Sequence, residues 1–183
     1  MINKKLNAKE LIFCGLFAAL ISVGAFLKIP VPFVPFTLQF LFTNLAALLL
    51  GKRLGSISVM IYIIIGLVGV PVFANGGGLS YIFQPSFGYV LGILAGTFVT
   101  GAISEKQKIL STKVVLLASF AGLSVIYLCG LVYFYLMANY YLQSPIAAST
   151  LLVHGFLVTL PGDFVKIFAS LFIVRRLKHR LVS

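Results

Sequence analysis

Six apolar stretches of helical length dominate the chain, separated by short polar clusters or Pro/Gly-rich connections. They run from Glu10 to Leu27, Phe36 to Leu50, Leu54 to Val70, Ser86 to Ser104, Val114 to Tyr141 and Leu151 to Val174. Membrane-spanning helices need about 20 predominantly apolar residues. Strands of a membrane barrel would instead alternate apolar and polar side chains over about ten residues, and Met60-Ile61-Tyr62-Ile63-Ile64-Ile65 does not alternate. The pattern predicts an all-α, six-helix integral membrane protein, a single domain over residues 1–183. The second stretch has 15 residues and would reach only about 22 Å as a helix. Either the Lys28–Pro35 segment supplies the missing depth or the helix ends in a water-filled cavity.

Composition agrees. Of 183 residues, 61% are hydrophobic and 9% charged, and mean hydropathy is +1.13; a soluble domain carries about 25% charged residues. The formal net charge of +11 would suggest nucleic acid in a soluble protein, but no basic stripe lies on a polar surface, so no nucleic acid is expected. The cations sit at helix ends: Lys4, Lys5 and Lys9; Lys52 and Arg53; Lys106, Lys108 and Lys113; Arg175, Arg176, Lys178 and Arg180. In a six-helix chain all twelve fall on one side, which the positive-inside rule makes cytoplasmic. Both termini are therefore expected in the cytoplasm, and the protein in a prokaryotic plasma membrane. The basic start followed by an apolar run resembles a signal peptide, but its length and the five runs after it favour a retained first helix.

Several chemistries find no support. The chain has no G-x-x-x-x-G-K-[ST] sequence for ATP and no metal-ligand spacing, so no metal and no cofactor are expected. Cys14 and Cys129 read as small buried hydrophobes. Ser80 and His154 lack the third group and the nucleophile elbow of a hydrolase, and no enzyme activity is expected. Asn75-Gly76-Gly77-Gly78 is either a flexible turn or a backbone that approaches a ligand closely.

Charges inside membrane spans are costly and mark function. Asp163 and Lys166 stand three apart in Pro161-Gly162-Asp163-Phe164-Val165-Lys166, near the expected outer end of the last helix, and so share one face. They either pair with each other, face a pocket, or do both. Lys28 either snorkels at the outer interface or meets a ligand carboxylate. Thr37, Gln39, Asn75, Tyr81, Gln84 and Tyr89 collect on the same outer side, with expected loops at 28–36, 71–85 and 143–161. Many of these could be interfacial anchors; together they describe a mostly apolar, outward-opening pocket with a few polar groups.

The motifs Val34-Pro35-Phe36-Thr37-Leu38-Gln39, Leu49-Leu50-Gly51-Lys52-Arg53-Leu54-Gly55 and Tyr62…Gly66-Leu67-Val68-Gly69-Val70-Pro71-Val72-Phe73-Ala74 resemble the biotin-specific substrate-binding (S) component of energy-coupling-factor vitamin transporters. Gly76-Gly77-Gly78-Leu79-Ser80…Pro85…Gly88-Tyr89…Gly92 and Pro161-Gly162-Asp163…Lys166 continue the likeness. The resemblance implies high-affinity capture of biotin from outside by a subunit without its own ATPase. It also implies partners: a transmembrane coupling subunit and two cytoplasmic ATPase subunits, within the lipid bilayer. For the site it implies that Asp163 accepts from a ureido N–H and Lys166 donates to a ligand acceptor. Asn75 and Gln39 would add polar contacts, while Phe36, Tyr89 and the Gly76–Gly77 backbone enclose the ring. On the first helix, the small pairs Gly15/Ala19 and Ala18/Ser22 either dock the coupling subunit or pack internally. An autonomous ion-coupled secondary transporter, or an S component for thiamine or riboflavin, stands as the alternative.

Overall fold

The computed structural model describes residues 6–29, 35–106 and 111–182, the last five as backbone alone. Lys4, Lys5 and Lys108 of the basic clusters, and Pro30 and Pro32 of the first outer connection, lie outside the described residues, as do the side chains of Lys178 and Arg180.

The chain is mostly helical: α1 (Ala8–Phe26), α2 (Gln39–Leu67), α3 (Phe87–Glu105), α4 (Thr112–Leu136), α5 (Ala148–Leu152) and α6 (Leu160–Val182). Two short strands, β1 (Lys28–Ile29) and β2 (Phe36–Thr37), pair antiparallel with Lys28 opposite Thr37. Among the described residues, five helical segments are long and apolar enough to cross a membrane: Ala8–Phe26, Gln39–Leu67, Phe87–Glu105, Thr112–Tyr141 and Ala148–Leu177. The surface is inverted relative to a soluble protein. Phe172, Val165, Leu128, Leu117 and Ile12 are exposed, whereas Thr43, Asn44, Ser58, Thr97, Thr100, Ser119 and Ser170 are buried. Such a surface suits lipid, and the buried hydroxyls other than that of Thr97 find partners on their own or neighbouring helices, as in Asn44 Nδ2 to Ser119 Oγ at 3.0 Å.

The second and third apolar runs form one helical element with a break. Gly51 has φ 80° and ψ −179°, a region essentially restricted to glycine. The two arms, 39–50 and 52–67, fold back on each other there. In a straight helix residues 39 and 62 would stand about 35 Å apart, yet Gln39 Nε2 donates to Tyr62 Oη at 2.7 Å. Glu105, from the end of α3, closes the turn: its Oε1 accepts from the Lys52 N–H at 2.7 Å, and Lys52 Nζ lies 3.7 Å from its Oε2. A carboxylate at the start of the second arm also complements that arm's dipole.

Two sequence expectations change. The second helix begins at Gln39, because Phe36 and Thr37 are drawn into β2. The connection expected at 143–161 is mostly helical: α5 leads through a π-helical turn, Val153–Leu157, into α6. Pro161 has no N–H and its ring would crowd the carbonyl four residues back. The irregular turn absorbs this, with the Val158 N–H bonding the Val153 carbonyl five residues back. Asp163 and Lys166 consequently lie well inside a 30-residue helical segment, not near either of its ends.

The connection at 71–85 is packed, not a free turn. Phe73 is 1% exposed, its ring 5.4 Å from Tyr62 and 4.5 Å from Tyr81 by centroids, and the Tyr133 hydroxyl donates to the Ile82 carbonyl. Gly77 approaches the end of α2 so closely that a Cβ there would stand 2.3 Å from the Val70 carbonyl oxygen. These contacts seat the loop against α3 and α4 and leave a cavity between it, β2 and α6.

Candidate functional site

The cavity is lined by β2 and the start of α2 (Phe36, Thr37, Gln39, Phe40), the 71–85 connection (Ala74, Tyr81), α3 (Tyr89, Val90, Ile93), α4 (Leu123, Ile126, Tyr127) and the last helical segment (Gly155, Thr159, Asp163, Lys166). Its volume is about 90 Å³ and it is open at its mouth, several times the space that one water needs. Burial raises the Tyr81 phenol above its usual 10, so it stays a neutral wall.

One side of this apolar chamber is charged. Lys166 Nζ lies 2.5 Å from Asp163 Oδ1, and both residues are buried. The i, i+3 spacing brings them together on α6, and neighbouring elements complete their partners. Tyr127 on α4 donates a short hydrogen bond to Asp163 Oδ2, and its oxygen stands 2.7 Å from Thr159 Oγ1. The phenol's one proton goes to Asp163; the Thr159 hydroxyl, which also has one proton, donates to the Phe156 carbonyl at 3.1 Å, so that carbonyl and the Tyr127 oxygen compete for it. The carboxylate is left a pure acceptor with about two lone pairs unused.

The Lys166 ammonium is fully engaged. It donates to the Thr37 carbonyl at 2.8 Å, ion-pairs with Asp163, and lies 3.8 Å from the centroid of the Phe36 ring. Three N–H bonds meet two oxygens and one aromatic face. A ligand acceptor reaches Lys166 only by taking the place of one of these, and the aromatic face is the weakest of the three. Gln39 uses one amide N–H on Tyr62 and accepts from Thr37 Oγ1 at 3.2 Å, which leaves one N–H. Tyr89 donates to the Gly155 carbonyl at 3.0 Å, within the π-helical turn.

Of the residues expected from the sequence, the fold thus brings Asp163, Lys166, Gln39, Phe36 and Tyr89 to one cavity. Asn75, Gly76 and Gly77 do not line it. Asn75 is exposed, its Oδ1 accepting from Lys28 Nζ at 3.1 Å; Lys28 also donates to the Ala74 carbonyl. Lys28 is therefore a clasp between β1 and the 71–85 connection. Tyr127 and Thr159 escaped the sequence reading. The available signal was a tyrosine at the middle of the fifth apolar run, where an interfacial anchor has no place.

On α1 the four small residues separate. Gly15 and Ala19 are exposed and Ser22 half-buried, but Ala18 is 3% exposed and packs in the main core with Ile21 and Phe40. Its inclusion in a docking face is corrected: helix rotation, set by the buried Cys14–Phe17–Ile21–Ala25 side, turns Ala18 inward.

The sequence profile of the BioY family matches residues 1–183. The chain belongs to the BioY family. The "Probable biotin transporter BioY" of Lysinibacillus sphaericus is 40% identical over 174 residues, covering 95% of this chain and 89% of that protein. The biotin transporter BioY of Thermotoga maritima is 38% identical over 171 residues, covering 93% and 96%. The crystal structure at 2.1 Å of the S-component for biotin from an ECF-type ABC transporter superposes with a TM-score of 0.80 at 28% identity, over 96% of this chain and 95% of that one. The family read from the motifs at 34–92 and 161–166 is thus the family the whole chain matches. By family this is a transporter component, not an enzyme, and a membrane protein.

Proposed function

We propose that this chain captures biotin from the outer side of the cell membrane, as the substrate-binding subunit of an ATP-driven vitamin transporter. The observation that carries the reading is the buried Asp163–Lys166 pair in the wall of an otherwise apolar cavity, in a chain whose relatives are biotin transporters. Biotin presents an apolar bicycle, a ureido group with two N–H donors and a carbonyl, and a carboxylated tail. Asp163, held as a pure acceptor by Tyr127 and Lys166, receives a ureido N–H. Lys166 donates to a ligand acceptor in exchange for its contact with Phe36, and Gln39 offers its remaining amide N–H. Phe36 and Tyr89 enclose the bicycle.

The chain forms one domain over residues 1–183, crossing the bilayer six times when the two arms of α2 are counted separately, with both termini cytoplasmic and the cavity opening outward. Capture alone does not move the ligand. A transmembrane coupling subunit and two cytoplasmic ATPase subunits supply the energy, and Gly15, Ala19 and Ser22 on the lipid-facing side of α1 offer a close-approach surface for the coupling subunit.

Calorimetry of the purified chain in detergent against biotin, thiamine and riboflavin tests the substrate: tight binding of biotin alone is expected, and binding of another vitamin in its place would overturn it. In the same assay Tyr127→Phe should bind biotin about tenfold more weakly, the value of one hydrogen bond to a charged group. An unchanged affinity would remove Tyr127 from the site.

A further inference from the structure

Gly162 stands one residue before Asp163, inside α6. Glycine within a helix is less favourable than alanine, and the Gly162 backbone is not in the left-handed region that would demand it. The reason for glycine lies above it. A Cβ on Gly162 would stand 2.2 Å from Phe36 Cζ, 2.5 Å from Cε2 and 3.2 Å from Cε1. Its three nearest neighbours would all be atoms of one ring. Residues four apart on a helix lie one above the other, so the ring resting on Gly162 is also the ring that faces the Lys166 ammonium.

We propose that Gly162 is a positioning residue of the ligand site: by having no side chain it seats the Phe36 ring, and the seated ring holds Lys166 on the cavity wall. This rests on the biotin-binding reading and deepens it. Gly162 touches no ligand; it acts through Phe36. The strand carrying Phe36 also provides the Thr37 carbonyl to the same ammonium, so a displaced ring disturbs two of the three Lys166 contacts.

The test is a double-mutant cycle on biotin affinity with the wild-type chain, Gly162→Ala, Phe36→Ala and the double variant. Gly162→Ala should weaken binding by roughly tenfold to a hundredfold, as overpacking does. In the Phe36→Ala background, with no ring to expel, it should change affinity by no more than about twofold. Equal effects of Gly162→Ala in both backgrounds, or none in either, overturn the proposal. If Gly162→Ala alone does not yield folded protein, recovery of a monodisperse species in the double variant supports the ring clash, and failure of both overturns it. A second readout needs no vitamin: labelling of Thr37→Cys by a soluble maleimide, measured above the background of Cys14 and Cys129. Gly162→Ala should speed it several-fold, and an unchanged rate counts against the proposal even if the wild-type chain proves not to bind biotin.

Discussion

Asp163→Asn should lower biotin affinity by about two to three decades, because a desolvated charged contact costs about 2–5 kcal/mol when cut. The substitution keeps size and shape but removes the charge that receives the ligand N–H. It also leaves the Lys166 ammonium buried without its counter-ion and takes the charged acceptor from Tyr127. Lys166→Met should fall as far for the converse reason, an uncompensated buried carboxylate. Either single loss would also follow if the pair served only the fold, since breaking a buried ion pair costs about 3–5 kcal/mol. The double variant separates the two roles. A neutral, well-packed replacement of both partners is often no less stable than the pair, so Asp163→Asn with Lys166→Met should recover thermal stability. Its biotin affinity should stay low. Recovery of affinity together with stability would assign the pair to the fold alone and move the ligand site elsewhere in the cavity.

Gly51→Ala should damage the fold away from the ligand site, lowering the unfolding temperature in detergent by roughly 5–10 °C. Its φ of 80° with ψ of −179° is strained for any side chain, at about 1–3 kcal/mol. A Cβ there would also stand 2.1 Å from Glu105 Oε1. The glutamate can swing away only by releasing the Lys52 N–H that it caps. Glu105→Gln, which keeps an acceptor for that N–H and creates no clash, should melt within a few degrees of the wild type. An unchanged melting temperature for Gly51→Ala would mean that the two arms of α2 do not depend on this turn.

The spans were legible in the sequence because a bilayer imposes a simple rule, about 20 apolar residues between polar caps. The break at Gly51-Lys52-Arg53 was legible for the same reason, although only the 2.7 Å bond between Gln39 and Tyr62 proves that the chain reverses there. Asp163 and Lys166 stood out because charge is rare among apolar residues and spacing alone puts them on one face. The sixth run, Leu151–Val174, falls within the helical segment Ala148–Leu177, but the connection expected at 143–161 was misread as loop. Gln143 to Pro161 is rich in residues that loops and helices both use, and a proline inside a helix looks like a boundary until a π-helical turn accommodates it.

By itself, the sequence determined that this is a six-run, apolar, positively capped chain of a recognisable family, with Asp163 and Lys166 on one face of its last run. These are properties of composition and short-range spacing, which no packing can alter. The tertiary structure decided which groups meet. Tyr127 and Thr159 are 32 residues apart and 36 residues separate Tyr127 from Asp163. Their hydroxyls could as well have been interfacial anchors until helix rotation and depth were set. The same rotation buries Ala18 while exposing Gly15 and Ala19, small residues that no periodicity distinguishes. Phe36 and Gly162 are 126 positions apart, and the contact between them is a matter of shape: a ring fits where a side chain is missing. Spacing along one helix fixes which residues share a face, but only packing between helices fixes what that face touches.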